Sequence, residues 1–236
     1  MTGVQCNLYQ NKKVLCVILA RGGSKGIPRK NAKIIGGKPL IAHSIDVAKE
    51  SKYVDEIYIS TEDPEIKNIS LHHGAKVIDR PIELATDSAS YLEAVHHMLS
   101  LIPSIQENPL IVLLESTSPI RESLDIERCI ELYDEKIDCV ISVREVKVFP
   151  AYMYKEKNGY LFPYENSPEI KNRQEMEKLY AYTGSILVTM ANILKNQQKI
   201  VFGGKIKGYV IDELHSIDID TQLDFDICDF LMRRNI

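Results

Sequence analysis

Along residues 14–143, short continuous apolar runs alternate with longer amphipathic stretches, and this alternation restricts the fold more than any other feature. The runs Val14–Ala20, Glu56–Ser60, Lys76–Ile78, Leu110–Leu114 and Asp138–Val143 read as strands. They are apolar through their length rather than at every second residue, the pattern of parallel strands covered on both faces. Between them, Pro39–Glu50, Pro64–His73, Ser88–Leu101 and Ser123–Asp134 read as helices. Pro39 suits a first helical turn, and Ser123 with Glu127 nearby suits a helix start. The expected class is α/β, with a mostly parallel sheet and helices on both faces. Ligands of such sheets collect at the carboxyl ends of the strands, so the loops 20–31, 60–64, 79–88 and 115–122 are the ones to search.

After Val143 the rhythm breaks. Residues 147–182 hold three of the ten prolines and six tyrosines, and Lys155 to Gly159 is a hairpin-like turn signal. This segment is expected to leave the main sheet as an arm, dimerisation element or substrate lid; a mobile surface loop is the alternative. The pattern resumes with Ser185–Met190, Lys205–Val210 and a final helix near Thr221–Arg234. One domain over 12–236 is therefore expected, with 1–11 as a polar tail. No apolar run approaches the ~18 residues of a membrane span, and the first eleven residues lack the apolar core of a signal peptide. The five cysteines are odd in number and far apart, which suits reduced thiols in the cytoplasm.

Charge excludes one class of partner and points to another. The formal net charge is −4, with 29 basic against 33 acidic residues, where a dedicated nucleic-acid binder would carry a basic excess. The distribution is uneven. Residues 12–45 carry Lys12, Lys13, Arg21, Lys25, Arg29, Lys30, Lys33 and Lys38 and no acid, whereas residues 211–236 carry seven acids against Arg233 and Arg234. Within the basic block, Gly22, Gly23 and Gly26 let the backbone approach a ligand, and Arg21, Lys25, Arg29 and Lys30 surround them. The combination suits a polyphosphate. It is neither a P-loop nor the dinucleotide fingerprint, because the glycine spacing is G-G-x-x-G.

In the acidic block, Asp218 and Asp220 stand two apart, so in extended backbone both carboxylates face one side and can share a cation. Mg²⁺ is a hard ion that one or two carboxylates and substrate phosphates typically hold. Asp220 or Thr221 is equally placed to cap the last helix. His215 matches Mg²⁺ chemistry poorly, and a structural or supporting role is expected for it.

These two sites, with Arg80 to Ser90 between them, resemble the cytidylyltransferases that make CMP-activated nonulosonic acids, among them the CMP-sialic acid and legionaminate synthetases. The resemblance runs from about Lys13 to Phe230. Four motifs carry it: L-A-R-x-x-S-K-G-x-P-x-K-N, R-P-x-E-L-A-x-D-x-A-S, L-L-x-x-T-S-P-x-R and S-I-D-I-D-T-x-L-D. It implies a Rossmann-like nucleotidyltransferase domain with a small inserted dimerisation arm, a homodimer, and Mg²⁺ as cofactor. The implied reaction is CTP + sugar acid → CMP–sugar acid + pyrophosphate. The implied CTP contacts are Ala20, Arg21, Ser24, Lys25, Lys30, Asn31, Arg80, Ala89 and Ser90, with Lys30 toward the α-phosphate and Asn31 toward the ribose. Asp218 and Asp220 match the metal pair. Lys30, Arg21 and Asp218 are the catalytic candidates, Asp218 as base either directly or through a metal-bound water that it orients.

On the acceptor side the resemblance implies Glu115, Thr117, Ser118, Arg173, Gln174 and Gly184. Departures cluster there. Glu115 stands where the family usually has an amide, Ala181 where it has an arginine, and Thr183 where it has an asparagine. An ionised Glu115 accepts hydrogen bonds and repels a carboxylate, so either the acceptor differs, with an amino or other donor group, or the pocket tolerates drift. Two other activities stay open: a catalytically silent CTP-binding module, and a nucleotidyltransferase for a different sugar acid or for a sugar phosphate.

Overall fold

The computed structural model describes residues 9, 11–164, 177–198 and 203–234. Its strands are β1 (Val14–Leu19), β2 (Ile34–Ile35), β3 (Lys38–Pro39), β4 (Glu56–Thr61), β5 (Lys76–Asp79) and β6 (Leu110–Leu114). They continue with β7 (Cys139–Glu145), β8 (Tyr154–Lys157), β9 (Tyr160–Pro163), β10 (Tyr180–Met190) and β11 (Ile206–Val210). The helices are α1 (Leu40–Glu50), α2 (Pro64–His72), α3 (Tyr91–Leu101), α4 (Ser123–Leu132), α5 (Ala191–Asn196) and α6 (Gln222–Arg233).

Seven strands form the main sheet in the order β11-β7-β10-β6-β1-β4-β5. Every neighbouring pair is parallel except the two that β10 makes with β6 and β7. Both faces are covered, which is why β1 is buried along its whole length. Val14, Cys16 and Ile18 pack on one side with Ile41 and Ile45 of α1, Ile66 of α2 and Ile126 of α4. Leu15, Val17 and Leu19 pack on the other with Ala94, Val95 and Met98 of α3 and Leu194 of α5. The expected α/β class and two-sided cover are thus found. Among the described residues, no helix is long and apolar enough to cross a membrane.

Three local expectations change. Tyr180 to Tyr182, placed by sequence in the excursion, pair with Glu145 to Val143 of β7. A register shift follows between Tyr182 and Leu187, where the Thr183 hydroxyl bonds the Ser142 hydroxyl (2.7 Å) and carbonyl (3.1 Å). The start of α4 is organised by Glu122 and Asp125 rather than by Glu127: the Glu122 N–H donates to Asp125 Oδ2 at 2.8 Å. Pro39 precedes α1 as its cap residue, one position earlier than expected.

Candidate active site

A cleft of about 410 Å³ opens at the carboxyl ends of β1, β5 and β6, within the range that small-molecule sites occupy. The loop after β1 forms one wall. Its backbone is held from below: Gly22 N–H donates to Glu62 Oε1 (2.7 Å), and the buried Asn31 amide donates to the Arg21 carbonyl (3.0 Å) while accepting from Ser116 Oγ (2.7 Å). A side chain at Gly22 would place its Cβ 2.5 Å from the Asp63 carboxylate, so only glycine fits there. Asn31 therefore already has bonding work inside the fold beyond any ribose contact.

The four cations of this loop divide. Arg21, Lys25 and Lys30 line the cleft. Arg29 does not; it turns outward to Asp63 (3.0 Å) and Glu65 (2.5 Å) at the start of α2, against the expectation that it surrounds the loop. Its backbone, at φ 56°, takes the left-handed conformation that begins the turn. Arg21 and Lys25 both meet Asp87 of the facing loop at 3.1 Å, and Arg21 also donates to the Thr86 carbonyl at 3.1 Å. The Lys30 ammonium donates to the Ile219 carbonyl, between Asp218 and Asp220.

That last bond joins the basic loop to the acidic loop. Ile27 and Ile219 share a small apolar core with Ile35, Leu40, Phe225 and Cys228, and a Cβ at Gly26 would lie 2.4 Å from the Asp220 carbonyl. The close approach needs glycine at 26 for want of space. Downstream, Thr221 caps α6 in a reciprocal arrangement with Asp224: Thr221 N–H donates to Asp224 Oδ2 at 2.7 Å, and Asp224 N–H donates to Thr221 Oγ1 at 3.3 Å.

The floor of the cleft is electrostatically mixed. Burial lowers the Arg80 guanidinium from its usual range, and Arg80 spends its donors on Ser60 Oγ (3.0 Å) and the Ser60 carbonyl (2.6 Å). Burial pushes the Glu115 carboxyl up; the nearby Tyr91 hydroxyl opposes this and the Asp218 charge adds to it. Asp218 is raised by the burial of its carboxyl and by the charges of Asp220 and Asp224, against a hydrogen bond from Thr117 and the charge of Lys30. Arg121, fully buried, holds the loop after β6 to β10 through the Ser185 carbonyl (2.7 Å) and the Glu115 carbonyl (2.5 Å).

Of the residues expected from sequence, Arg21, Ser24, Lys25, Lys30, Asn31, Arg80, Ala89, Ser90, Glu115, Thr117 and Asp220 line this one cleft. Ala20 and Ser118 are wholly buried beside it and do not line it. Gly184, at φ +75°, backs onto Glu115, whose Cγ is 3.8 Å from the place of a Cβ. Asp218 lies at the edge, close enough to shift Glu115. Arg173 and Gln174 lie outside the described residues. Sequence reasoning missed Glu62, Tyr91 and Asp87; an acid in the loop facing a basic cradle was the available signal for the last.

Among the described residues, no group of three or more His, Cys, Asp or Glu side chains is arranged to hold a metal ion. Two mutually repelling carboxylates beside a cleft open to solvent nevertheless suit a hard divalent ion with few protein ligands.

Comparison with known proteins agrees with this geometry. A family profile described as Cytidylyltransferase matches residues 15–200. The chain is 34% identical over 217 residues to an N-acylneuraminate cytidylyltransferase of Streptococcus agalactiae serotype V, covering 90% of this chain and 52% of that protein. It is 31% identical over 231 residues to a CMP-N,N'-diacetyllegionaminic acid synthase of Legionella pneumophila, covering 94% and 97%. The chain thus spans about half the length of the streptococcal relative and nearly all of the Legionella one. In fold it is similar to a CMP:2-keto-3-deoxy-manno-octonic acid synthetase solved with CTP, at TM-score 0.72 and 18% identity over 95% of this chain and 100% of that one. With a family match across most of its length, and the same nucleotidyltransferase fold, this chain belongs to the cytidylyltransferase family.

Proposed function

We propose that the protein transfers CMP from CTP to the anomeric hydroxyl of a nonulosonic, sialic-acid-like sugar acid and releases pyrophosphate. The observation that carries this reading is the joining of the two loops. Lys30, a cation of the phosphate cradle, is bonded to the backbone between Asp218 and Asp220. A triphosphate laid along Arg21, Ser24, Lys25 and Lys30 therefore ends beside two carboxylates. Relatives named for sialic and legionaminic acids support the acceptor class.

In this reading the cradle orients the triphosphate, and its cations offset the charge that gathers on the phosphate oxygens. The acceptor hydroxyl oxygen attacks the α-phosphorus in line, and the bond from the α-phosphorus to the oxygen bridging to the β-phosphate breaks. Pyrophosphate leaves with that electron pair, and the hydroxyl proton passes to Asp218. Asp218 and Asp220 would hold Mg²⁺, which supplies charge neutralisation and a template for the phosphates when bound. In this reading Arg80, Ala89 and Ser90, which line the cleft, would serve the base, and Glu115 and Thr117, which line it too, the acceptor. The four described cysteines are free thiols, which suits the cytoplasm as the place of reaction.

Pyrophosphate release on mixing with CTP, Mg²⁺ and a panel of sugar acids tests the assignment. Release with at least one nonulosonic acid, and a drop of about 10²–10³ in kcat for Lys30→Ala, are the expected results. CTP binding without release for any acid would make this a silent CTP-binding module instead. A clear preference for N-acetylneuraminate would refute an altered acceptor.

A further inference from the structure

We infer that Asp125 is the positioning residue for the acidic loop and acts on it through His215, an inference that rests on the proposed metal role of Asp218 and Asp220. Asp125 sits in the first turn of α4, away from the cleft, with a side chain only 5% exposed. A carboxylate is costly to bury unless its oxygens are occupied, and here two hydrogen bonds and the close approach of a histidine ring occupy them. Oδ1 accepts from the Tyr209 hydroxyl of β11 at 2.9 Å. Oδ2 accepts from the Glu122 N–H at 2.8 Å and meets His215 Nδ1 at 2.8 Å. His215 Nε2 points toward Glu122, whose carboxylate lies 3.9 Å away. One buried carboxylate thus ties α4, β11 and the loop 211–221 to one another.

The tie falls where the acidic loop needs it. Leaving β11, the chain makes a tight turn: Leu214 N–H donates to Asp212 Oδ1 at 2.8 Å and Ser216 N–H to the Asp212 carbonyl at 3.0 Å. His215 is anchored on this turn, three residues before Asp218. The next fixed points are Ile219 N–H, which donates to the Thr117 carbonyl at 2.9 Å, and the Thr221 cap of α6. Asp218 hangs between the His215 anchor and the Ile219 anchor. The turn's own bonds, such as Ile217 N–H to the Leu214 carbonyl (3.2 Å), are local, so the His215 contact with Asp125 is what refers this turn to α4. His215 is then neither a metal ligand nor a base. It transmits the position of α4 to a carboxylate at the edge of the cleft.

Protein-bound Mn²⁺ in the presence of CTP, read by water-proton relaxation enhancement, tests this without turnover. His215→Phe keeps a ring and removes the nitrogen that lies against Asp125; it should weaken Mn²⁺ binding about tenfold or more, the usual cost of losing a supporting partner. His215→Asn puts a polar nitrogen back near the Nδ1 position and should recover most of the affinity. Tyr209→Phe removes the hydroxyl bond to Asp125 Oδ1 and leaves His215 in place; it should lower Tm and leave Mn²⁺ binding alone. CTP affinity in EDTA should be the same in all three. Equal loss of Mn²⁺ in Tyr209→Phe and His215→Phe would reduce the dyad to fold stability and overturn the inference. Wild-type Mn²⁺ binding in His215→Phe, alongside loss in Asp218→Asn, would overturn it while leaving the metal reading standing. Wild-type binding in Asp218→Asn would overturn both.

Discussion

Glu115 shows how much one carboxylate can say about its surroundings. Burial is the largest influence on it and raises its pKa above the ordinary range, with Asp218 adding and Tyr91, Arg121 and Lys30 opposing. The folded state then keeps the proton to higher pH than the unfolded chain does. Stability from this group is full below the unfolded carboxylate range and is lost as pH rises through the folded value. Glu115→Gln cannot ionise, so its Tm relative to wild type should climb as pH rises above about 4, the ordinary glutamate range. A difference that stays flat over that rise would mean the carboxyl is not desolvated in solution. Asp87 is the converse case. Lys25 first, and Arg21 with it, hold its carboxyl below the usual range, and it occupies two cations assigned here to the triphosphate. CTP must displace it, so Asp87→Asn should bind CTP a few-fold tighter by calorimetry, an effect that shrinks with salt because the pairs are exposed. Weaker binding would recast Asp87 as an organiser of the loop. The cations of the cradle were legible in the sequence because they are close neighbours on the chain. Their partners were not, since Asp87 and Thr86 reach Arg21 across more than sixty residues.

At the level of elements, runs buried on both faces could be read as strands because such runs have few other uses. Their direction could not. A stretch that is apolar on both sides carries no mark of polarity, and β10 lies antiparallel between β6 and β7 without any local sign of it. The six residues of α5 were too few to show a period. Turn chemistry was easier: Asn158 and Gly159, at φ 55° and 80°, make the hairpin turn that their sequence suggested. The contact between the phosphate loop and the acidic loop lay beyond sequence, because the need for glycine at 26 comes from the Asp220 carbonyl, far along the chain. Gly26→Ala must push these loops apart. A shift of about 1 Å in reacting groups costs on the order of 10²-fold, so pyrophosphate release should fall by about that factor while Tm changes little. Near wild-type turnover would show that the two loops need not touch for catalysis. Thr221→Ala removes the cap of α6 and should cost about 1 kcal/mol in denaturant unfolding, with a smaller loss of rate.

Among the described residues, one apolar surface stands uncovered within a single copy. The β8–β9 hairpin is exposed along both strands, and Tyr160 (71%), Leu161 (67%) and Phe162 (50%) stand open beside Tyr152 and Tyr154. A two-stranded hairpin is marginal by itself in water, and contiguous apolar surface of this kind marks an interface. The cleft makes a poor destination for it, since polar and charged side chains dominate the cleft's lining. A second copy is the partner that needs no further molecule, and two-fold pairing is the commonest arrangement of identical chains. Each large apolar side chain fully covered there would contribute about 1.5–3 kcal/mol. Sedimentation equilibrium should therefore give twice 26.8 kDa for the wild-type chain. Leu161→Asp combined with Phe162→Ser should give a monomer that keeps its far-ultraviolet circular dichroism and its CTP affinity, because the hairpin is remote from the cradle in sequence and pairs with no strand of the main sheet. A wild-type chain that sediments as a monomer would leave the arm as a substrate lid. In that case the same double variant should raise the KM for the sugar acid and leave that for CTP unchanged.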